Sequence, residues 1–304
     1  MYILDTSALK GIGKSRLEVA KQNHDLAISP LTFYELLCHL DETHGGKTFE
    51  RQRGYVMKCT IPRILHDPFA YHAIAVGAEH VTNESRFEEP NTISQLLMNL
   101  GNASDLNAFY SSTVKFSNGD VGRCRDIADN VRRVLKAEED RYTAQLILIS
   151  TEVQGEFSDC ATVGLSPQQL ASLIAASLKK MIADYRTKDG IIDDYLATKV
   201  TSSMYMHLGY QVARVVEYLQ NAREGGTTFN PDPNDCEDSY ITMYLELFNR
   251  DALVTGDTGT LNALKATKDA FLSVFDGSLQ IESRVLSNED FVAEIGIDQI
   301  QKTT

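Results

Sequence analysis

The sequence lacks several features that would assign the protein to a common class. It has no run of about 18 apolar residues, the length that indicates a membrane-spanning helix. Its first residues, "MYILDTSALKG", lack the basic start and the cleavage site of a signal peptide. The five cysteines are odd in number and form no C-x-x-C pair, which argues against a disulfide framework and structural zinc. We therefore expect a soluble, cytoplasmic protein with reduced cysteines and no membrane partner.

Basic residues are also scarce. The chain has 29 Lys and Arg against 42 Asp and Glu, a net charge of -13. This balance weighs against sequence-blind binding of nucleic acid, because affinity for phosphates comes chiefly from Lys and Arg. The net charge argues less strongly against nucleic-acid binding if carboxylates converge on metal ions or if basic residues cluster locally. With 304 residues and 43% apolar composition, the chain can hold one large domain or two of ordinary size.

The two ends of the chain have one pattern and the middle has another. At both ends, short apolar strands (2–5, 26–29 and 251–255) alternate with helical patterns such as 30–42, 235–250 and the helix starting at Thr258. Such alternation predicts an α/β fold with a mainly parallel sheet. Residues 61–227 show long helical patterns and hardly a strand, and loop signals bracket them. The sequence therefore predicts one discontinuous α/β domain, 1–60 plus 228–304, interrupted by an all-helical insertion domain, 61–227.

Four acidic residues stand at chemically useful positions in the two ends. Asp5 ends the first strand and Asp257 follows the strand 251–255, while Glu35 and Asp238 lie in the first turns of two helices. Active sites of open parallel sheets form beyond the carboxyl ends of the strands. Four carboxylates meeting there would repel one another unless divalent cations neutralised them, and oxygen ligands suit Mg²⁺ or Mn²⁺. The spacing therefore predicts a metal site.

Asp257 has other interpretations as well. It can serve only as the cap of the helix that begins at Thr258. The sequence Asp-Thr-Gly-Thr also occurs in aspartic proteases, but those enzymes need two such loops on a β-rich scaffold. A phosphatase of the haloacid-dehalogenase type needs a second Asp two residues after its early nucleophile, whereas Asp5 is followed by Thr6 and Ser7. Both enzyme alternatives fit this chain poorly.

Five segments together resemble the PIN-domain nucleases: "ILDTSAL", "SPLTFYELL", "EDSYITMYL", "ALVTGDTGTL" and "RVLSNEDFV". The family pattern is a strand-end Asp with a following Thr or Ser, a helical Glu, a helical Asp and a Thr-x-Asp after a late strand. The resemblance covers residues 1–60 and 228–304. It implies a PIN-like parallel-sheet sandwich and metal-dependent hydrolysis of phosphodiesters, with an RNA endonuclease as the expected activity and DNA left open as substrate.

Site residues follow from this resemblance position by position. The catalytic quartet is Asp5, Glu35, Asp238 and Asp257, with Ser7 and Thr255 as hydroxyl support. Asp5, Asp238 and Asp257 are expected as ligands of the metal, and Glu35 as a ligand or as the group that orients the attacking water. Many family members carry another acid or Asn where this chain has Gly259, and Asp235 or Glu237 stands near enough to replace it.

The alternative function is a PIN-like module without turnover that binds RNA or a protein partner. Basic residues that follow the Glu35 helix are candidates for phosphate contact: Lys47, Arg51, Arg53 and Lys58. The insertion has several roles open to it, namely selecting the substrate, blocking the site, binding a protein inhibitor and joining two copies of the chain. Its residues Tyr205, Met206, Tyr210 and Tyr218 invite an interpretation as stacking platforms for bases, but their helical spacing favours a core position.

Overall fold

A central parallel sheet organises the fold. The computed structural model describes residues 1–42, 48–77, 89–184, 194–275 and 279–296. Seven strands lie in this part of the chain: β1 (Tyr2–Leu4), β2 (Leu26–Ile28), β3 (Arg63–Ile64), β4 (Thr113–Lys115), β5 (Val121–Arg123), β6 (Ala252–Thr255) and β7 (Arg284–Ser287). Five of them form one sheet in the order β3-β2-β1-β6-β7, and every pairing in it is parallel. The predicted α/β fold with a parallel sheet is confirmed.

The strands from the two chain ends are neighbours in this sheet. Ile3 of β1 lies between Ala27 of β2 and Leu253 of β6, and all three side chains are fully buried. Strands covered on both faces are continuous apolar runs rather than alternating ones, and "YIL", "LAI" and "ALV" fit that description. The pairing of β1 with β6 therefore places the residues that follow these strands side by side.

Helices cover the sheet and fill the middle of the chain. In the described residues they are α1 (Thr6–Gly11), α2 (Lys14–Asn23), α3 (Pro30–Cys38), α4 (Phe49–Val56), α5 (Pro68–Val76), α6 (Glu89–Asn102), α7 (Leu106–Ser111), α8 (Cys124–Glu156), α9 (Cys160–Val163), α10 (Pro167–Asp184), α11 (Asp194–Glu224), α12 (Asp235–Ile241), α13 (Thr258–Val274) and α14 (Asn288–Glu294). Single 3-10 turns follow α4 and α12. None of the helices in these ranges combines the length and apolar character needed to cross a bilayer.

The sequence predicts caps at Ser29, before Pro30, and at Ser287, with Asp290 three residues on, and side-chain caps start both helices there. Ser29 Oγ accepts a hydrogen bond from the N–H of Leu31 (3.1 Å), with Pro30 in the first turn of α3. Ser287 and Asp290 form a reciprocal capping box at the start of α14. Each cap satisfies a backbone donor that has no partner within its helix. These local signals fix where α3 and α14 begin.

The helix predicted over 235–250 ends early, and this is a correction. It stops at Ile241, and a 3-10 turn over Thr242–Tyr244 follows. The reason is tertiary: Leu247 is fully buried, its N–H donates to Ser202 O (2.9 Å), and its carbonyl accepts from the N–H of Glu282 (2.9 Å). These bonds to α11 and to the segment before β7 replace helical ones. In contrast, α13 runs to Val274, about two turns beyond the predicted end near residue 265.

The segment 61–227 is mainly helical, but the prediction that it is all-helical is wrong. Its first residues form β3, which pairs with β2 through Ala27↔Arg63 and Ile28↔Ile64, so the sheet extends past residue 60. A two-stranded antiparallel hairpin, β4 and β5, also lies within it. The side chain of Gln95 on α6 bonds both backbone groups of Lys115, which attaches the hairpin to that helix. Both departures involve strands of only two or three residues, too short to show a periodicity.

Two hydrophobic clusters hold the layers together, and both mix the ends with the middle. One contains Ile3 and Leu253 of the sheet together with Tyr142 and Met206. The other contains Leu4 and Ile28 together with side chains of α6, α7 and α8. Tyr205, Met206 and Tyr210 are 5%, 0% and 0% exposed, which confirms their predicted core position, whereas Tyr218 is only partly buried. The middle segment thus packs directly onto both faces of the sheet.

The contact between α11 and α13 gives a test of this packing. A Cβ at Gly209 of α11 would lie 2.7 Å from Thr267 Oγ1 and 2.9 Å from Thr267 Cβ, and Thr267 is fully buried. Although Ala favours helix by about 1 kcal/mol, we expect Gly209→Ala to lower the free energy of unfolding by about 1–2 kcal/mol net through overpacking. Urea denaturation measures this change.

A control variant and a rescue variant make the test specific. A Cβ at Gly155 of α8 would have no neighbouring atom within 4 Å, so Gly155→Ala should keep or raise stability. Adding Thr267→Ala to Gly209→Ala should recover part of the loss, because the two residues share one contact. A Gly209→Ala protein as stable as the Gly155→Ala protein would show that α11 and α13 do not pack this closely.

Candidate active site

Asp5 and Asp257 lie at adjacent strand ends and each caps a helix. Asp5 follows β1, and its Oδ1 accepts from the N–H of Ala8 (2.6 Å) at the start of α1. Asp257 follows β6 after one glycine, and its Oδ1 accepts from the N–H of Thr260 (2.6 Å) at the start of α13. The prediction that Asp257 caps the helix beginning at Thr258 is therefore confirmed. Because β1 and β6 are parallel neighbours, both carboxylates are at the same edge of the sheet.

Ser7 and Thr255 connect these two strand ends. Ser7 Oγ donates to the carboxylate of Asp5, 2.8 Å from Oδ1 and 2.9 Å from Oδ2, and accepts from the N–H of Gly256 (2.6 Å). Thr255 Oγ1 lies 3.2 Å from Ser7 Oγ and accepts from the N–H of Asp257 (3.0 Å). The two hydroxyls therefore fix the loop after β6 against the loop after β1, at the positions where the sequence placed hydroxyl support.

Asp238 joins the pair through a residue that the sequence did not reveal. It lies in the first turn of α12, and its Oδ2 accepts from Thr260 Oγ1 (3.1 Å). Since the N–H of Thr260 also bonds Asp257, this one threonine contacts two of the predicted acids. Its place three residues after Asp257 indicates the cap, but the bond to Asp238 depends on tertiary structure alone.

Burial and the charges of neighbouring acids raise the pKa values of Asp5 and Asp238. Burial is the largest cause of the rise in the pKa of Asp5 to about 6, opposed by hydrogen bonds from Thr255, Ala8 and Ser7. For Asp238 burial again comes first, followed by the charges of Asp5, Asp257 and Asp235, and together they raise its pKa to about 8. The structure therefore brings Asp5, Asp238 and Asp257 into one electrostatic group.

Glu35 and Glu237 extend this group of acids. Glu35, on α3, raises the pKa of both Asp5 and Glu237, and its Oε1 lies 3.5 Å from Lys10 Nζ. Burial, followed by the charges of Glu35 and Glu139, raises the pKa of Glu237 to about 8. All four predicted catalytic acids thus lie at one edge of the sheet. Lys10 was not among the predicted site residues.

Asp235, predicted as a further ligand, is engaged by the middle of the chain. Its Oδ2 lies 2.8 Å from Nε and from Nη2 of Arg214, and the hydroxyl of Tyr218 donates to the same atom (2.6 Å). Both partners belong to α11. No sequence signal indicated Arg214, because that residue lies outside the segments that carry the family pattern.

Arg214 also explains Gly259, the position at which the family pattern leads one to expect another acid or Asn. A Cβ at position 259 would overlap the guanidinium of Arg214 and lie 3.2 Å from Asp257 Oδ1. Arg214 Nη1 bonds Glu217 Oε2 (2.6 Å) from this position. The space beside Asp257 that a longer side chain at position 259 would fill therefore holds a cation from α11.

Two of the four basic residues predicted to contact phosphate, Arg53 and Lys58, have other partners. Arg53 donates to the carbonyls of Gly101 (2.5 Å) and Ala103 (2.9 Å). Lys58 Nζ donates to the carbonyls of Leu9 (2.5 Å) and Ile12 (2.8 Å), which close α1. Arg51 is exposed, and Lys47 lies outside the described residues. The cations of Arg53 and Lys58 therefore stabilise the fold, and phosphate contact would require breaking these bonds.

The donor set fits a hard divalent cation by its chemistry. Its members are carboxylate oxygens, supported by hydroxyls, at a buried edge where they repel one another. Yet in the described ranges no three Asp, Glu, His or Cys side chains are gathered so that they could hold a metal ion as they stand. Asp5, Asp238 and Asp257 each use an oxygen in a hydrogen bond to a helix end or to Thr260. Ligation therefore requires side-chain movement that brings together the carboxylate oxygens that these bonds leave open.

The raised pKa values predict how stability depends on pH. The pKa of Asp238 is about 8 in the folded chain, against an ordinary value of 3.8, so between these values the folded state holds a proton that the unfolded state has lost. Its stabilising contribution is complete below about pH 4 and is lost as the pH rises to about 8, with a slope of up to about 1.4 kcal/mol per pH unit. Asp5 and Glu237 act in the same direction.

Melting temperatures in EDTA at pH 5 and pH 8 measure this effect. We expect the melting temperature of the wild type to fall between these values by more than that of Asp238→Asn, which cannot lose the proton. The control is Asp140→Asn, an acid on α8 whose side chain is 70% exposed, which should behave like the wild type. Equal pH dependence in the wild type and Asp238→Asn would show that Asp238 is not held among the other acids.

Comparison with known proteins adds no family to this description. No family model, no curated protein and no solved structure matches the chain. The function of the site must therefore be inferred from its own residues and geometry.

Proposed function

We propose that the protein is a PIN-like, divalent-metal-dependent nuclease that cleaves RNA. The observation that carries the proposal is Asp238, whose pKa is raised first by burial and then by the charges of Asp5 and Asp257 from two neighbouring strand ends. A fold gains nothing in stability from assembling like charges, and perturbed acids of this kind mark functional sites. A divalent cation is the simplest group that makes their ionised forms compatible.

Each acid has a proposed role. Asp5, Asp238 and Asp257 are the residues that would hold Mg²⁺ or Mn²⁺, with Ser7, Thr255 and Thr260 holding the carboxylates in place. A bound divalent cation supplies positive charge that polarises a phosphodiester and lowers the pKa of water. The proposed role of Glu35 is to orient water or to complete the ligand set. Asp235 supports the site indirectly by holding Arg214 beside Asp257.

The choice of RNA as substrate follows the family resemblance of the five sequence segments. The five free cysteines support a reducing, cytoplasmic location for the activity. The middle segment approaches the acids through Arg214 and Tyr218, which supports a role for it in substrate selection ahead of binding an inhibitor or a second copy.

The second candidate is a PIN-like module that binds RNA or a protein without turnover. Two observations on the described residues favour it: the acids do not form a ready set of metal ligands, and Arg53 and Lys58 use their charges on backbone carbonyls. In that case the repulsion among the acids would be relieved by protonation of Asp238 rather than by a cation.

Asp257→Asn separates the two candidates. Asn caps helices as well as Asp does, so α13 should keep its start and the melting temperature should change little. Loss of a charged ligand should reduce Mn²⁺ affinity and RNA cleavage by about 100-fold or more. Loss of a group that only supports a ligand typically reduces metal affinity or activity by about 10–100-fold, and loss of the ligand itself should cost at least as much. Calorimetry with Mn²⁺ and cleavage of a mixed single-stranded and hairpin RNA, on the same samples, measure both.

The matched control is Asp105→Asn. Asp105 also caps a helix, with its Oδ1 accepting from the N–H of Ala108 (2.9 Å), but it lies at the start of α7, away from the acids. This variant should bind Mn²⁺ and cleave RNA like the wild type. A wild type that binds no Mn²⁺ at millimolar concentration and cleaves no RNA would refute the nuclease and favour the binding module.

A further inference from the structure

A cavity of about 600 Å³ lies beside the cluster of acids that contains Asp5, Asp238 and Asp257. Helices α3, α5, α6, α8 and α12 and the β4–β5 hairpin contribute to its walls. Its apolar lining includes four aromatic rings, those of Tyr34, Phe69, Phe116 and Tyr240. Phe69 is 37% exposed, although its ring contacts that of Tyr240 at a centroid distance of 5.1 Å. The volume is in the range of small-molecule sites, and the rings favour a flat, apolar occupant.

The charges in the lining exclude a phosphate as the occupant. Four carboxylates line the cavity, and the described lining contains no Lys or Arg. Asp67 is used as the cap of α5, where it accepts from the N–H of Phe69 (2.9 Å). The remaining three, Asp126, Glu138 and Glu237, offer carboxyl oxygens that accept hydrogen bonds from N–H donors.

Donors are present as well. Asn130 Oδ1 accepts from Arg133 Nη2 (2.7 Å), which leaves its amide N–H groups for a ligand, and Thr92 adds a hydroxyl. Arg141 Nη1 donates to both oxygens of Glu138 (2.8 and 3.0 Å), and the hydroxyl of Tyr240 donates to Oε2 (3.3 Å), so a ligand must share these oxygens or take the place of Arg141. A cavity for a simple organic cation needs acceptors only, whereas this lining offers acceptors and donors around aromatic rings.

The cavity and the predicted catalytic acids share two helices. Tyr34 of the cavity wall immediately precedes Glu35 on α3, and Glu237 immediately precedes Asp238 on α12. Glu35 and Glu237 also affect each other electrostatically. Glu237 therefore borders both a flat group in the cavity and the edge of the sheet where Asp5 and Asp238 lie.

We propose that this cavity binds a guanine base of the substrate strand. Guanine presents two adjacent N–H donors, at N1 and N2, to which one carboxylate can bind with both oxygens, and it presents acceptors at O6 and N7 for Asn130 or Thr92. Adenine and cytosine have one exocyclic amino group and no adjacent ring N–H, and uracil has a single ring N–H. Base binding stands on the cavity alone, and the position of the base next to a cleaved phosphodiester rests on the proposed nuclease function.

Nucleosides without phosphate test the proposal directly. In calorimetric or saturation-transfer NMR titrations of the full chain, guanosine should bind about tenfold more tightly than adenosine, cytidine, uridine and inosine, because tenfold lies within the range by which one good bidentate pair discriminates. Inosine is the sharpest comparison, since it differs from guanosine only by the missing N2 amino group. Equal affinity for guanosine and inosine, or no binding of guanosine, would overturn the proposal.

Two variants locate the binding. Glu138→Gln and Glu237→Gln each replace a carboxylate of the lining, and at least one should remove the preference for guanosine while circular dichroism shows a native fold. The matched control is Glu152→Gln, which lies on α8 like Glu138 but pairs with Lys180 outside the cavity (2.9 Å). If both lining variants keep the preference, or if the control loses it, guanosine binds elsewhere and the proposal fails.

Further measurements separate this inference from the proposed function. Guanosine binding without any RNA cleavage would refute the nuclease and leave the base site standing. RNA cleavage with no preference for guanosine or for guanine-containing strands would refute the base site and leave the nuclease standing. Binding of arginine amide in place of guanosine would overturn the inference in favour of a site for a cationic side chain of a protein partner.

Discussion

Repulsion among buried carboxylates at one edge of the parallel sheet is the constraint around which this structure is arranged. Asp5 and Asp257 come from neighbouring strands, and Asp238 is brought against them by α12. Each of the three lies at the start of a helix, where unpaired N–H groups and the helix dipole favour negative charge. Two of them are caps, so their ionised forms gain hydrogen bonds that partly offset burial. The helix ends make the cluster tolerable, but they do not neutralise it, since the pKa of Asp238 stays near 8.

The middle of the chain contributes to this edge by packing and by charge, and one helix does both. Gly209 of α11 meets Thr267 of α13, which sets how closely the two helices approach. Further along α11, Arg214 reaches across Gly259 beside Asp257 and binds Asp235. A side chain at position 209 or 259 would disturb the same alignment of α13. The middle segment is thus part of the site, although its sequence carries none of the family pattern.

Sequence alone predicted those parts of the site that depend on local rules. Caps at Ser29, Ser287 and Asp257 follow from residue type and position, and the strand ends that carry Asp5 and Asp257 follow from short apolar runs bounded by acids. Contacts between distant segments could not be predicted in this way. The bond of Thr260 to Asp238, the pairing of Arg214 with Asp235 and the early end of α12 at Ile241 all depend on side chains that meet only after folding.

The charge of the chain limits how it can bind a nucleic acid. A net charge of -13 and the use of Arg53 and Lys58 on backbone carbonyls weigh against affinity that comes mainly from tracking phosphates. Under the proposed function, affinity for RNA would come from short-range contacts, namely a divalent cation at the acids and a base in the neighbouring cavity. Both contacts depend on position, since the acidic lining of the cavity repels a phosphate that enters in place of a base. The proposed nuclease would therefore act on selected sites in RNA rather than on any strand it meets.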